Sequence, residues 1–462
     1  MPAMRGPSGP NTRIVILGGG PAGLGAAHRL YKRGHENWLL CERNGYVGGL
    51  SASFQDAAGF TWDVGGHVLF SHYEYFDAAV RSAIGDAYYE HLRESWIRIL
   101  ETWVPYPFQN NIRHLPAGAL KECLDGLIAT RGTGQAPRNF LEWMTGMFGS
   151  GIVRYFMRPY NEKVWSVPLD SMSMDWIAER VSTVDVGRIQ QNIAEQRDEV
   201  SWGPNNTFRF PRQGGTGAIF TGIARPFLKR IQLNRRVKQL DLGRKVVLFD
   251  DRGYEPYDVL VNTTPLDALI QCCTDAPDSV RDAARLLVHN SGLVVGLGIS
   301  GMRTDSKCWM YFPEQDTPFY RVTQFHNYSP FNVPGGDTGQ YCSFMCETSY
   351  SSHRAVEKQR LVDETVDGLV NAGLIRDKDR SKIVSRYVID IPHSYPVPTI
   401  DRDRALSLIQ PYLESRDVYS RGRFGAWKYE VGNMDHSFMQ GVETVDRILA
   451  GERERTVNGM VA

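Results

Sequence analysis

The sequence predicts an α/β fold: a parallel-stranded domain into which a helical domain is inserted, followed by an antiparallel β-sheet domain. Three observations lead there. First, Arg13-Ile14-Val15-Ile16-Leu17 is a nearly all-apolar, β-branched run that breaks into Gly18-Gly19-Gly20-Pro21-Ala22-Gly23, with helix-forming residues after it. Second, another apolar run, Trp38-Leu39-Leu40-Cys41, ends on an acid, Glu42. Third, helical spacing of apolar residues dominates from about 115 to 197, and strand-like runs dominate most of the chain beyond it.

The first two observations define a Rossmann-type start. Glycine is needed at Gly18 for a tight turn, at Gly20 so that backbone N–H groups can approach a pyrophosphate, and at Gly23 for close helix–strand packing; Pro21 and Ala22 open the helix. Glu42 sits where a carboxylate would accept hydrogen bonds from a ribose diol, with Arg43 beside it. Two further glycine turns follow at Gly48-Gly49-Leu50-Ser51 and Gly65-Gly66-His67. Diglycines this close to the nucleotide turn favour backbone packed against a large flat cofactor, and so FAD over NAD.

A helix is expected over 73–83 and a hairpin over 96–104. In Pro105-Tyr106-Pro107-Phe108-Gln109-Asn110-Asn111, two prolines fix an extended backbone that would present Tyr106, Phe108 and Gln109 outwards to stack on a base and bond its edge. The same composition also suits a loop anchored in the core. Helices are expected over 120–130, 139–147, 151–159, 173–181 and 186–196. This region holds Arg158-Pro159-Tyr160-Asn161-Glu162-Lys163-Val164-Trp165, dense in groups able to line a pocket, and Arg180 among apolar neighbours. Gly203-Pro204-Asn205-Asn206 is a breaker-rich loop of the kind that moves as a lid.

After a helix over 218–229, strands over 236–240, 245–249 and 257–263 return the chain to the nucleotide-binding unit. Strand-like runs over 292–299, 309–312, 320–325, 341–346 and 384–388, with a helix over 353–372, predict the antiparallel sheet, which carries Tyr311, Arg321, Tyr328 and Tyr395. At the end, Gly422-Arg423-Phe424-Gly425 and Gly432-Asn433-Met434-Asp435-His436-Ser437 feed a helix over 438–449. Its N-terminus would favour the negative charge that a flavin pyrimidine edge gains on reduction. The expected division is 1–88, 207–288 and 396–462 for the FAD-binding domain, 113–201 for the helical domain, and 89–112 with 289–395 for the sheet domain.

The whole chain limits the function classes. Its 462 residues suffice for about three domains and large cores. Lys plus Arg equal Asp plus Glu at 52 each, so no basic field attracts nucleic acid or anionic lipid, and any anion site must be local. Seven cysteines are scattered without a CxxC pair or zinc-like histidine spacing. Free thiols in a reducing compartment and no metal site are expected. The first eleven residues lack an apolar signal region, and no run approaches the length of a membrane span. A soluble, cytoplasmic protein without a membrane partner is expected.

With these motifs read, the chain closely resembles the eukaryotic-type UDP-galactopyranose mutases from about residue 14 to 449. The resemblance is carried by Asp63-Val64-Gly65-Gly66-His67-Val68, Trp103 through Asn111, Arg158-Pro159-Tyr160-Asn161, Gly422-Arg423-Phe424-Gly425 and Tyr429-Glu430-Val431-Gly432-Asn433. It implies isomerisation of UDP-galactopyranose to UDP-galactofuranose by nucleophilic attack of reduced FAD N5 on the anomeric carbon, with no net redox change. It places the diphosphate on Arg180, Arg321, Tyr328, Tyr395 and Tyr429, and the nucleoside on Tyr106, Phe108, Gln109, Asn161, Trp165 and Tyr311. His67 would sit by flavin N5, Arg423 would line the sugar and flavin pocket, and Asn205 would close over the substrate. Val237, Asn433, Met434 and Ser437 would join the glycine turns on FAD, and Arg93 would seat the NADPH that reduces it. Two alternatives stand beside this reading: the same ring contraction on a GDP-linked hexose, since phosphate-binding groups are blind to the base, and a flavin oxidoreductase of the amine-oxidase superfamily. The segment after Tyr328 is shorter than in fungal members and the chain stops soon after its last helix, which leaves a homo-oligomer open.

Overall fold

The computed structural model describes residues 9–130, 136–177, 184–200 and 206–460. Its first layer is a parallel sheet. Ile14–Leu17 lies between Trp38–Cys41 and Val259–Asn262, and Val418–Ser420 and Ile231–Gln232 complete the two sides. Every side chain of Ile14–Leu17 is buried, as expected of a parallel strand covered on both faces. Helices Pro21–Lys32 and Met434–Ala450 pack together on one face, where a Cβ on Gly25 would lie 2.1 Å from the Phe438 carbonyl oxygen and one on Gly441 would lie 2.0 Å from that of Ala22. Small residues thus let two helix backbones approach, which fixes the N-terminus of each against the same cavity.

The largest sheet has seven strands, with Ile383–Pro396 at one edge and Thr102–Pro105 at the other. It differs from the expected antiparallel sheet in one pairing: Trp309–Tyr311 runs parallel to Ser95–Ile99. The reason is topological. The hairpin of Ser95–Ile99 and Thr102–Pro105 comes from far upstream and docks on an otherwise local sheet, so its direction is not set by a tight turn.

The helical insertion contains Ala117–Ala129, Phe140–Ile152, Arg158–Trp165 and Val186–Ala194. The helix expected to end at Pro159 instead passes through it: a π-helical turn over Val153–Met157 precedes Arg158–Trp165, whose first turn accommodates the proline. Of the helix expected over 173–181, residues 173–177 form a turn and the rest lie outside the described residues. The helix expected over 353–372 is shorter, Leu361–Asn371, with the polar stretch before it in turns. Conversely, the last helix starts at Met434 rather than 438, which brings Met434 and Ser437 into its first turn.

Candidate active site

The site has two walls. The first is made of backbone. Gly18 holds φ at +101°, and a Cβ there would lie 2.5 Å from Thr263 Oγ1; a Cβ on Gly23 would lie 1.8 Å from the Gly18 carbonyl oxygen. The turn is therefore closed to any other side chain, and the amino end of Pro21–Lys32 faces the space above it. Glu42 is fixed beneath the turn: Oε2 accepts from the Gly19 N–H at 2.6 Å and Oε1 from the Asn44 N–H at 2.8 Å. The second diglycine reaches the first, since a Cβ on Gly49 would stand 3.0 Å from Gly20 Cα.

Above these turns lies a cavity of about 320 Å³. Its lining includes Gly18, Gly20, Pro21, Ala22, Glu42, Arg43, Gly49, Leu50, Ser51, His67, Val237, Arg423, Met434 and Ser437, all expected from the sequence to hold the cofactor or stand beside it. Gly23, Gly65, Gly66 and Asn433, also expected to touch the cofactor, are not part of that lining, though each adjoins a lining residue in the chain. Asn433 holds the N-cap position of Met434–Ala450, and Gly65 takes φ +101° to turn the chain into His67.

The second wall is polar and aromatic. Arg321–Gln324 pairs antiparallel with Tyr341–Tyr350 in a register that sets Arg321 opposite Glu347. The guanidinium forks onto that carboxylate, Nε to Oε1 at 2.7 Å and Nη2 to Oε2 at 2.6 Å. The Tyr320 hydroxyl donates to Oε2 at 2.9 Å, and the Gly66 N–H donates to Oε1 at 3.0 Å. Burial alone would raise the Glu347 carboxyl, but Arg321 outweighs it and holds the group ionised, below its ordinary range. One carboxylate therefore ties the diphosphate candidate Arg321 to the glycine loop of His67. Nothing in the local sequence around Glu347 marks it; only the strand register does.

His67 is pushed down to about 4, by burial first and then by the Arg423 charge, so the ring is neutral at pH 7. Its Nδ1 is buried and has no hydrogen-bond partner among the described residues. An orphaned imidazole nitrogen on a residue that lines the cavity, together with three glycine turns that present bare backbone, fits a flavin dinucleotide.

The other expected residues form two aromatic clusters. In one, the Trp165 ring centroid lies 4.9 Å from that of Tyr429, Tyr395 lies 5.7 Å from Tyr429, and Arg423 sits over Tyr395 at 5.5 Å. Arg423 is aimed by a bond from Nε to the Gly432 carbonyl oxygen at 2.8 Å. Asn161 accepts from Trp165 Nε1 at 3.2 Å, an i to i+4 contact on one helix face. In the other, Tyr106 and Tyr160 each lie 5.3 Å from Tyr311. Arg93 donates to the Tyr311 hydroxyl at 3.1 Å and stacks over Trp309 and Tyr106. Tyr328 is fully buried, and its hydroxyl finds no partner among the described residues.

One expectation needs correction. The loop after Pro105 does not present three side chains outwards: Phe108 is fully buried and stacks on Phe156 at 4.7 Å, and Gln109 is buried as well. The prolines anchor this loop in the core and leave Tyr106 half-buried. Arg180 and Asn205 lie outside the described residues.

Residues 21–453 match the family of flavin containing amine oxidoreductases. The chain belongs to that family and, within it, is of the UDP-galactopyranose mutase type. It resembles a solved structure of reduced UDP-galactopyranose mutase at 44% sequence identity, with a TM-score of 0.94 and 98% of each chain covered. More distant structures share the fold alone: a fatty acid isomerase from P. acnes (16% identity, TM-score 0.63, 96% of this chain and 100% of that one) and putrescine oxidase (14%, 0.63, 95% and 99%).

Proposed function

We propose that this chain interconverts the pyranose and furanose forms of a nucleoside-diphosphate hexose, UDP-galactose in particular, and that it is a eukaryotic-type enzyme of the cytoplasm. The observation that carries this reading is the Arg321–Glu347–Gly66 connection, which couples a phosphate-type fork to the loop that turns into His67, on the cavity lining. An oxidase needs no such handle.

When bound and reduced, FAD supplies the nucleophile for exchange at the anomeric carbon, so the ring is remodelled without net redox change. The protein's own residues do the rest. Arg321, with Arg180, holds the departed diphosphate by forked, charged hydrogen bonds so that it is retained for reattachment. Tyr328, Tyr395 and Tyr429 supply hydroxyl donors around it. The neutral His67 keeps a fixed cation away from the reacting face, and Arg423, held on Gly432, walls the sugar. Trp165, Asn161, Tyr106 and Tyr311 border the nucleoside, with Phe108 and Gln109 supporting them from within the core. Asn205 closes over the substrate. Arg93, stacked between Trp309 and Tyr106, seats NADPH as reductant.

The nucleotide is the point to test. Stacked rings tolerate every base, so the preference for UDP rests on the shape of the loop that Phe108 and Gln109 support. Turnover of UDP-galactose and of GDP-linked hexoses should be compared side by side with dithionite-reduced protein. UDP-galactose is expected to win; a preference of more than about tenfold for GDP, ~1.4 kcal/mol, would reassign the nucleotide while keeping the chemistry.

A further inference from the structure

The helix Arg158–Trp165 has two faces, and the nucleoside placement proposed above draws on one of them. Asn161 and Trp165, four residues apart, share that face and bond to each other. Lys163 lies two residues from each, about 200° around the helix, and points the other way. It is 1% exposed. Its Nζ donates to the Phe312 carbonyl oxygen at 3.0 Å and to the Glu314 carbonyl oxygen at 2.6 Å, and lies 3.0 Å from Thr317 Oγ1. None of the three partners is a carboxylate. Two are obligate acceptors, and the third is a hydroxyl that can accept from an ammonium or donate to a neutral amine.

All three partners belong to one loop. Trp309–Tyr311 and Arg321–Gln324 form a hairpin in which Tyr311 pairs opposite Arg321, and residues 312–320 connect the two strands. Lys163 grips that connection one residue past Tyr311. At its carboxyl end the same helix is held from another side: Asn290 Nδ2 donates to the Val164 carbonyl oxygen at 2.7 Å, and Asn290 Oδ1 accepts from the Tyr395 N–H at 2.9 Å. Burying an amine in a seam that needs only packing is unfavourable, and an apolar side chain of the same length would fill the space better. What the amine adds is direction, because its bonds fix the helix against the hairpin at one height.

We propose that Lys163 is a positioning residue, which seats the helix bearing Asn161 and Trp165 on the hairpin bearing Tyr311 and so fixes the spacing of the groups that border the nucleoside. The inference rests on the nucleoside placement under the proposed function. Burial first, and then the Arg354 charge, push the Lys163 amine down to about 7, against Asp316 and Glu314 on the loop, which raise it. Of the other titratable groups on the elements packed here, Glu162 pairs with Arg158 at 2.8 Å, Glu347 is held ionised by Arg321, and burial carries the Tyr160 and Tyr320 phenols and the Cys346 thiol upward. The ordinary lysine value is 10.5, so proton uptake favours release of the side chain to water. The seat therefore holds above about pH 7 and loosens as pH falls below it.

The test uses the full-length, flavin-loaded protein. Dissociation constants for UDP-galactose are measured with the flavin oxidised, so that no turnover intervenes, and kcat with it reduced by dithionite. Lys163→Met, which keeps the length of the side chain and removes its donors, should weaken UDP-galactose binding by about tenfold or more while kcat stays within about threefold. The wild type should bind less tightly as pH falls from about 7.5 to about 5.5, a span over which the doubly esterified diphosphate keeps its charge, and Lys163→Met should lose most of that dependence. Lys121→Met, on an exposed helix face, should match the wild type throughout. Should Lys163→Met fail to fold, Thr317→Val, which removes one partner at nearly constant volume, must weaken binding by about two- to fivefold with its circular dichroism intact. An unchanged dissociation constant in folded Lys163→Met, even with a lowered denaturation midpoint, or the wild-type pH profile retained in it, would overturn the proposal. Failure of the nucleotide-sugar reading shows separately, as a wild type that binds neither UDP-galactose nor a GDP-linked hexose; amide exchange over 158–165 and 312–317, which needs no ligand, must then still quicken in Lys163→Met for the seat to stand.

Discussion

Two arginines in this molecule, Arg421 buried and Arg321 half-buried, make the same forked contact with a carboxylate in different settings. Arg421, whose side chain is 3% exposed, sends Nε and Nη2 to Glu454, both at 2.6 Å, and Nη2 also reaches Glu414 at 2.7 Å. Arg447 bonds the same two carboxylates at 2.6 and 2.8 Å. The network is closed and neutral, and it clamps helices Arg402–Glu414 and Met434–Ala450 to the segment after the last strand. Arg321, 14% exposed, has one carboxylate partner among the described residues, Glu347, which is itself bonded to a glycine loop. A closed network has no place for an incoming anion; on the proposed reading, a single pair bonded to the loop that turns into His67 does. Closure, rather than burial or distance, separates the structural fork from the one we propose to be functional.

Breaking the closed network should show itself first in stability. Arg421→Ala leaves Glu454 and Glu414 sharing Arg447 and the network one positive charge short, and should cost roughly 3–5 kcal/mol, read as a lowered denaturation midpoint. If Arg421→Ala proves as stable as the wild type, the network is not the clamp described.

Arg321→Ala should instead show itself in turnover, lowered about 10- to 200-fold with FAD content retained, as ~1.5–3 kcal/mol of charged hydrogen bonding is lost. Arg321→Lys should recover only part, because an ammonium lacks the fork. Wild-type turnover in both variants would remove Arg321 from the diphosphate site.

Acid should separate the regions more gently. The folded pKa of His67, about 4, lies below its ordinary 6.5, so the unfolded chain takes up a proton first and stability is lost as pH falls from 6.5 toward 4. At Glu454, burial raises the carboxyl but Arg421 and Arg447 outweigh it and hold it at about 2, so its contribution is lost only as pH falls from 4.5 toward 2. Denaturation midpoints measured across both windows should fall in the upper one for wild type and less steeply for His67→Ala. An unchanged slope in that variant would show that His67 does not set it.

How much of the molecule is legible in the sequence depends on whether the signal is local. The turns at Gly18, Gly49 and Gly65, the acid at Glu42 and the residues feeding the last helix are readable because each chemistry is written in a few consecutive residues. Phe108 is misplaced by sequence reasoning because an aromatic between prolines reads alike whether it faces a base or, as here, Phe156. Glu347 and the Arg421 network escape it because their partners are joined only by sheet register and helix packing.

Nucleotide-sugar isomerisation on a reduced flavin, rather than oxidation, is the reaction on which everything above turns. It is measured most directly by incubating the purified protein with UDP-galactopyranose, once with the flavin reduced by dithionite under nitrogen and once oxidised in air, while both sugar isomers and hydrogen peroxide are followed by chromatography and a peroxide assay. The furanose isomer should accumulate over many turnovers in the reduced sample, without stoichiometric consumption of reductant, and none should form in the oxidised one. Equal isomerisation with fully oxidised flavin, or peroxide formed in proportion to substrate consumed, would contradict this reaction.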